Sequence, residues 1–274
     1  MHELFVTTHV INEDLDLTLR ILQGYCSSCP RHVFTRLLSF QGPLTRAPKP
    51  IDPNLIKQQP PQKFVSWRSL SDQLSRQSYI LNVSYEIDQD EFGRTENSGD
   101  AQVPQEGSQL LDQRFGTLRW NDLPEPTAAK PVNSRLPDPG LTRPVNSRLV
   151  VNIDNQQGLC TIMKKLQHTC VREIIQEKYM SVNGDILFEL TRYLLFPTEP
   201  AGPIRATLPA FNTLTPFDAE NKWILTASIL VAKGDNPQQM KKGMDQLVAI
   251  KNDFEGCFDF KAMDRHIFDT RVKM

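Results

Sequence analysis

No window of the sequence approaches the roughly twenty consecutive apolar residues that a membrane-spanning helix needs, so a bilayer role through helices is not expected. Charge of one sign is also missing: 31 basic residues stand against 32 acidic ones. A chain that balanced has no general attraction for a polyanion, and direct DNA binding is not expected. Cysteine is sparse and odd in number, five in all, which fits reduced thiols better than a disulfide framework. The opening MHELFVTTHVINEDLD turns acidic at once, without the basic start of a secretory signal. Asn82-Val-Ser is formally a glycosylation sequon but carries little weight without that route. The catalytic spacings HExxH, GxSxG, GxGxxG and GxxxxGK[ST] do not occur.

Proline, by contrast, is plentiful, at 20 residues in 274. Six of them fall in 43–62, and a residue without a backbone donor is poorly suited to a helix or sheet interior. That stretch reads as a loop, as do the polar segment 88–112 and the Pro-rich 121–147. Within the last, PVNSRL occurs at 131–136 and again at 144–149. The first copy lies among prolines and the second runs into LVVNI, a β-branched run. One hexapeptide in two settings points to a local duplication in a tolerant loop, not to a repeat of the fold.

Between the loops the patterns are ordered. ELFVTTHVI reads as a strand. NEDLDLTLRILQG reads as a helix capped by Asn12, with Leu15, Leu19 and Leu22 on one face and Gly24 ending it. VFTRLLSFQG, KFVSWRSL, SYILNVSYEI and RFGTLRW read as strands. LVVNID leads to a helix over 155–168 that puts Leu159, Ile162, Met163 and Leu166 together. Asn183-Gly184 marks a hairpin between TCVREIIQEKYMSV and DILFELTRYLLF, although a helix over 171–180 stays open. KWILTASILVAKG reads as a strand. NPQQMKKGMDQLVAIK reads as a helix capped by Asn236, with Pro237 at its first position.

These elements predict a mainly antiparallel β protein with flanking helices (α+β). Its strands would form a closed or nearly closed multi-stranded β-barrel, a form that removes exposed sheet edges. The chain is expected to be one discontinuous domain, with core segments 2–42, 63–87, 113–120 and 148–255 and a tail over 252–274.

Candidate chemistry is thin. Cys26-Ser-Ser-Cys29 has CxxC spacing, but it follows a helix instead of preceding one, the wrong side for lowering a thiol pKa. As a zinc half-site it would need Cys160, Cys170 or His168, none at paired spacing. Structural, metal and redox roles stay open for it. Glu173, Glu177 and Glu189 could face a barrel lumen and bind a cation, or they could be solvated face positions. No catalytic, cofactor-binding or metal-ligating residue is assigned. Four phenylalanines crowd the last two dozen residues, and Phe254, Phe258 and Phe260 are candidates for meeting a partner.

The ends of the chain carry a resemblance. HELFVTTHVINEDLDLTLRILQGYCSSCPRH…LLSFQGP and WILTASILVAKGDNPQQMKKGMDQLVAI resemble the Mediator subunit 18 family in its fungal forms, over about 2–42 and 148–255. The resemblance implies a multi-stranded barrel in the Mediator head module. It implies a heterodimer with subunit 20, a tether from the C-terminal helix of subunit 8, contact with other head-module subunits and, indirectly, with RNA polymerase II. A nuclear location and a non-enzymatic role follow. Elements over 1–20 and 222–250 would surround the tethering helix. The family barrel is also similar to metal-dependent, tunnel-type RNA 5'-triphosphatases. Those use alternating ExE carboxylates on one strand face, and this sequence has no such pair among the glutamates named above.

Overall fold

The computed structural model describes residues 1–45, 48–94, 107–126, 144–197, 204–232 and 234–273. The first copy of PVNSRL, residues 95–106 of the 88–112 segment and most of the 121–147 segment fall outside the described residues.

The chain starts with strand β1 (His2–Val10), helix α1 (Leu15–Cys26) and strand β2 (Arg31–Gln41). Helices α2 (Pro53–Lys57) and α3 (Phe64–Leu74) precede β3 (Ile80–Ile87). Then come α4 (Gly107–Asp112), β4 (Gly116–Asn121), β5 (Asn146–Gln156) and α5 (Leu159–Lys165). The long β6 (Thr169–Asn183) and β7 (Ile186–Leu195) follow, with a two-residue β8 (Thr215–Pro216). Strand β9 (Trp223–Val231) and helix α6 (Pro237–Asp253) end the regular structure.

The strands run in the order β6-β2-β3-β4-β5-β1-β9-β7, every neighbour antiparallel, and β7 pairs back onto β6. That last pairing closes an eight-stranded barrel, with β8 appended to the end of β7. The hairpin between β6 and β7 turns at Gly184, whose φ is 59°. Asn183 remains the last residue of β6, paired with Ile186, so the turn is Gly184-Asp185, one position later than the Asn-Gly reading. Positive φ at the first turn position suits a residue without Cβ.

Side chains alternate across a strand, and here one set faces helices while the other faces the lumen. Leu4, Val6 and Val10 of β1 pack with Leu22 of α1 and with Leu247 and Ile250 of α6. Trp67, Leu70 and Leu74 of α3 and Met163 of α5 cover Leu81, Val83 and Tyr85 of β3 and Trp120 of β4. Each such burial contributes about 1.5–3 kcal/mol. A third, smaller cluster sets Phe34, Ile87, Ile175 and Leu194 under Leu208 and Phe211. The apolar cores therefore lie outside the barrel wall.

Four sequence readings are corrected. KFVSWRSL is not a strand but the first part of α3, because Trp67, Leu70, Ser71 and Leu74 fall on one buried helical face. Gly24 sits inside α1, and Ser27 closes that helix in the left-handed region at φ 52°. Asn12 does not cap α1; its Oδ1 accepts from the buried Trp223 indole at 3.0 Å. The Pro-rich 43–62 segment holds the short α2, capped by Asp52, whose side chain accepts from the Asn54 N–H. At α6 the cap is as the sequence indicates: Asn236 accepts from the N–H groups of Gln238 and Gln239. A Cβ at Gly243 would stand 2.8 Å from Leu4 Cδ1, so glycine lets α6 approach β1 closely.

After α6 the tail returns along one end of the barrel. Thr7 and Lys261 exchange backbone hydrogen bonds at 3.0 and 2.9 Å. Asn146 donates to the Met263 carbonyl and accepts from its N–H, at 3.0 and 2.8 Å. Thr270 donates to the Asn121 carbonyl and accepts from the Ile80 N–H. Phe268 meets Phe5 edge-on at 5.2 Å. The tail thereby ties together the same end of β1, β5, β4 and β3. Removing residues 261–274 is expected to cost about 3 kcal/mol, roughly 6 °C in Tm, while strand content by circular dichroism persists. An unchanged melting curve would show that the strap is not part of the stability of the barrel.

Candidate partner-binding surfaces and the barrel interior

The lumen is polar, and its centre is one carboxylate held by two arginines. Glu3 of β1 accepts from Arg119 of β4 and from Arg148 of β5, each at 2.6 Å. Arg148 also lies over the Phe5 ring at 4.6 Å. Tyr193 of β7 stands half-buried across the barrel, within electrostatic reach of both guanidinium groups, and its hydroxyl accepts from Gln176 of β6 at 3.4 Å. Nearby, Lys178 of β6 stands 3.7 Å from Glu189 of β7. Burial alone would raise the Glu3 carboxyl, but the Arg119 and Arg148 charges and hydrogen bonds outweigh it and hold it below the usual carboxylate range.

Glu3 was missed in the sequence. The available signal was its place in a period-two strand, sharing a side with Phe5, Thr7 and His9, opposite apolar Leu4 and Val6.

The three glutamates considered for a cation do not come together. Glu189 faces the lumen, but Glu173 and Glu177 lie on the outer face and are neither solvated nor lumenal. The Glu173 side chain is 4% exposed and accepts from Arg36 Nε at 2.7 Å, under the segment that follows residue 203. Its other oxygen takes the Arg205 N–H, and Arg36 also donates to the Arg205 carbonyl. Glu177 accepts from Arg192 at 2.7 Å and shares 2.9 Å with His32, whose ring stacks on Tyr179. A buried carboxylate with an arginine already on it is a structural ion pair. Among the described residues no three acid, histidine or cysteine groups are placed to hold a metal.

Cys26 and Cys29 are free thiols. Burial raises the Cys26 pKa, opposite to what a reactive thiolate needs. Cys160 and Cys170 are pushed up to about 11, chiefly by burial.

The three phenylalanines do form one cluster. Phe254 and Phe260 are buried, each 3% exposed, and Phe258 is half-buried between them. Tyr25 of α1 and Phe188 of β7 complete the group. Separately, a groove of about 410 Å³ runs between α6 and β9, lined by Leu187, Ile229, Leu230, Val231, Gly243 and Gln246. Leu230 at its lip is 49% exposed. At that end of the wall Val182 and Met1 are exposed as well.

A family model described as Med18 protein matches residues 2–136 and 135–271. Over 289 residues, and the full length of both chains, the sequence is 25% identical to the Mediator of RNA polymerase II transcription subunit 18 of Aspergillus oryzae. The subunit 18 protein of Aspergillus niger is 26% identical over 288 residues, again at full length of both. A chain in the structure of the Schizosaccharomyces pombe Mediator head module shares the fold, with a TM-score of 0.59 at 14% identity, covering 96% of this chain and 99% of that one.

The Glu3 clasp gives the barrel a pH signature. A carboxyl whose pKa is depressed by folding stabilises the fold above its unfolded value near 4.5, and that contribution is lost as pH falls through the folded value. Glu3→Gln, which leaves two half-buried guanidinium groups without their carboxylate, is expected to cost about 2–3 kcal/mol at neutral pH. In urea titrations the gap between variant and parent should narrow on acidification below the usual carboxylate range. A gap that stays constant with pH would contradict the assignment.

Proposed function

The chain belongs to the Med18 family, and from that premise we propose that it is a non-enzymatic structural subunit of the Mediator coactivator. In this reading it works in the nucleus within the head module, supporting transcription by RNA polymerase II. The observation that carries the reading is the family match, which extends from residue 2 to residue 271. Its barrel would pair with the related barrel of subunit 20 and be tethered by the C-terminal helix of subunit 8.

The α6–β9 groove suits such a helix: apolar along its floor, with Lys242 and Asp185 at its rim. Helix-in-groove binding relies on an apolar stripe meeting an apolar trough. Of the phenylalanine cluster, Phe258 is the member with surface left for a partner, since Phe254 and Phe260 are committed to the chain's own core.

A polar lumen with Arg119, Arg148, Lys178 and Glu189 also invites a tunnel-type RNA 5'-triphosphatase. The carboxylates there sit on different strands, and each has a basic partner, whereas a divalent ion needs oxygen ligands converging on one point. That chemistry is the weaker reading.

Co-expression with subunits 20 and 8, followed by size-exclusion chromatography with light scattering, tests the leading reading. A stable 1:1:1 species is expected, and Gln246→Arg, a change on the α6 side of the groove, should release the subunit 8 helix with the barrel still folded. A monomer indifferent to both partners would sink the proposal. Metal-dependent phosphate release from 5'-triphosphorylated RNA, abolished by Glu189→Ala, would replace it with the enzymatic one.

A further inference from the structure

On the far side of the barrel from α6 lies a cavity of about 510 Å³, within the size range of ligand sites. The Pro-rich stretch after β2 forms one wall, with α2, the end of α3 and the α5–β6 turn forming the others. Its floor is apolar: Ile51, Leu55 and Leu74 are buried and Leu166 is half-buried. The wall is pinned in place, since Ser71 Oγ accepts from the Ile51 N–H at 3.0 Å and Ser78 Oγ donates to the Pro43 carbonyl. Leu44, beside the mouth, is 63% exposed.

The mouth is positively charged. Lys49 and Lys165 line it, both exposed and without an ion-pair partner among the described residues. The lining carboxylate, Asp52, is occupied in capping α2. Lys57, exposed on α2 between the lining Leu55 and Gln58, deepens the bias. His168 at the back donates from Nδ1 to the Leu166 carbonyl, and burial favours its neutral ring, so the charge comes from the lysines.

An apolar floor beneath unpaired ammonium groups selects a ligand with the complementary pattern. We propose that this cavity docks an acidic peptide segment of another protein, inserting large apolar side chains between the prolines and α2 while its carboxylates meet Lys49 and Lys165. A nucleic acid would satisfy the lysines but leave the apolar floor uncovered, and a purely apolar helix would leave the lysines unmet. The site is remote from the α6–β9 groove and does not depend on the head-module assignment.

The test uses the full chain and a short fluorescent peptide alternating Asp or Glu with Leu and Phe, followed by anisotropy. Saturable binding that weakens with added salt is expected. Binding should be lost when the apolar residues are replaced by Ser or the acidic ones by Lys. Lys49→Glu with Lys165→Glu, both at exposed positions, should weaken it by about tenfold or more with an unchanged circular dichroism spectrum. No saturation at millimolar protein, or affinity indifferent to the double reversal, would overturn the proposal. So would displacement of the peptide by a single-stranded oligonucleotide at equal charge, which would mark a generic polyanion surface.

Discussion

A single carboxylate between two arginines governs how this barrel is built. Glu3, Arg119 and Arg148 come from three strands and meet where water is scarce. Such a triad adds little net stability compared with an apolar filling, because desolvating the ions offsets their attraction. What it does is penalise every other register, since a one-residue slip of β1 would send Glu3 to the helix side and leave two guanidinium groups unpaired in the lumen. With the interior committed to polar groups, the driving force for folding has to act elsewhere. Hence Trp120, Trp223 and most large aliphatic residues of the strands face outward, under α1, α3, α5 and α6.

That inversion connects the fold to its surfaces. Because each arc of wall needs its own cover, the chain must supply helices between strands, and every place where cover meets wall imperfectly becomes a groove. The α6–β9 trough and the cavity beside α2 are two such seams. The third arc is covered without a long helix, by the segment over 204–214 held through Arg36 and Glu173. Ion pairs therefore serve on both faces of the wall, as register lock inside and as fastening outside.

Much of this was legible in the sequence where one period dominated. Residues 169–195 alternate cleanly enough on either side of a turn to read as a hairpin, and Asn236-Pro237 announces α6. The α3 segment failed because KFVSWRSL shows only its first turns; Ser71 and Leu74, which complete the helical stripe, lie beyond it. Glu173 and Glu177 could be placed on one face of β6, yet which face met the lumen depends on pairing with β2 and β7. That is set by contacts more than a hundred residues away along β2. The Arg119–Glu3 pairing is equally nonlocal, so the functional reading of those charges had to wait for the closed barrel.

The second PVNSRL is used residue by residue. Val145 fills the α6 core, Asn146 grips the tail at Met263, Ser147 is buried, and Arg148 clasps Glu3. Yet the same six letters stand thirteen positions earlier. What separates the copies is the next four residues, PDPG in one case and VVNI in the other. Val150, Val151 and Ile153 pair with β4 and are buried, whereas two prolines in the same places would break that ladder. The hexapeptide is thus an address that only its suffix makes readable. Substitutions that give the first copy a β-branched continuation would create a competing β5 within the same molecule, so the prolines after it act as a guard on the fold.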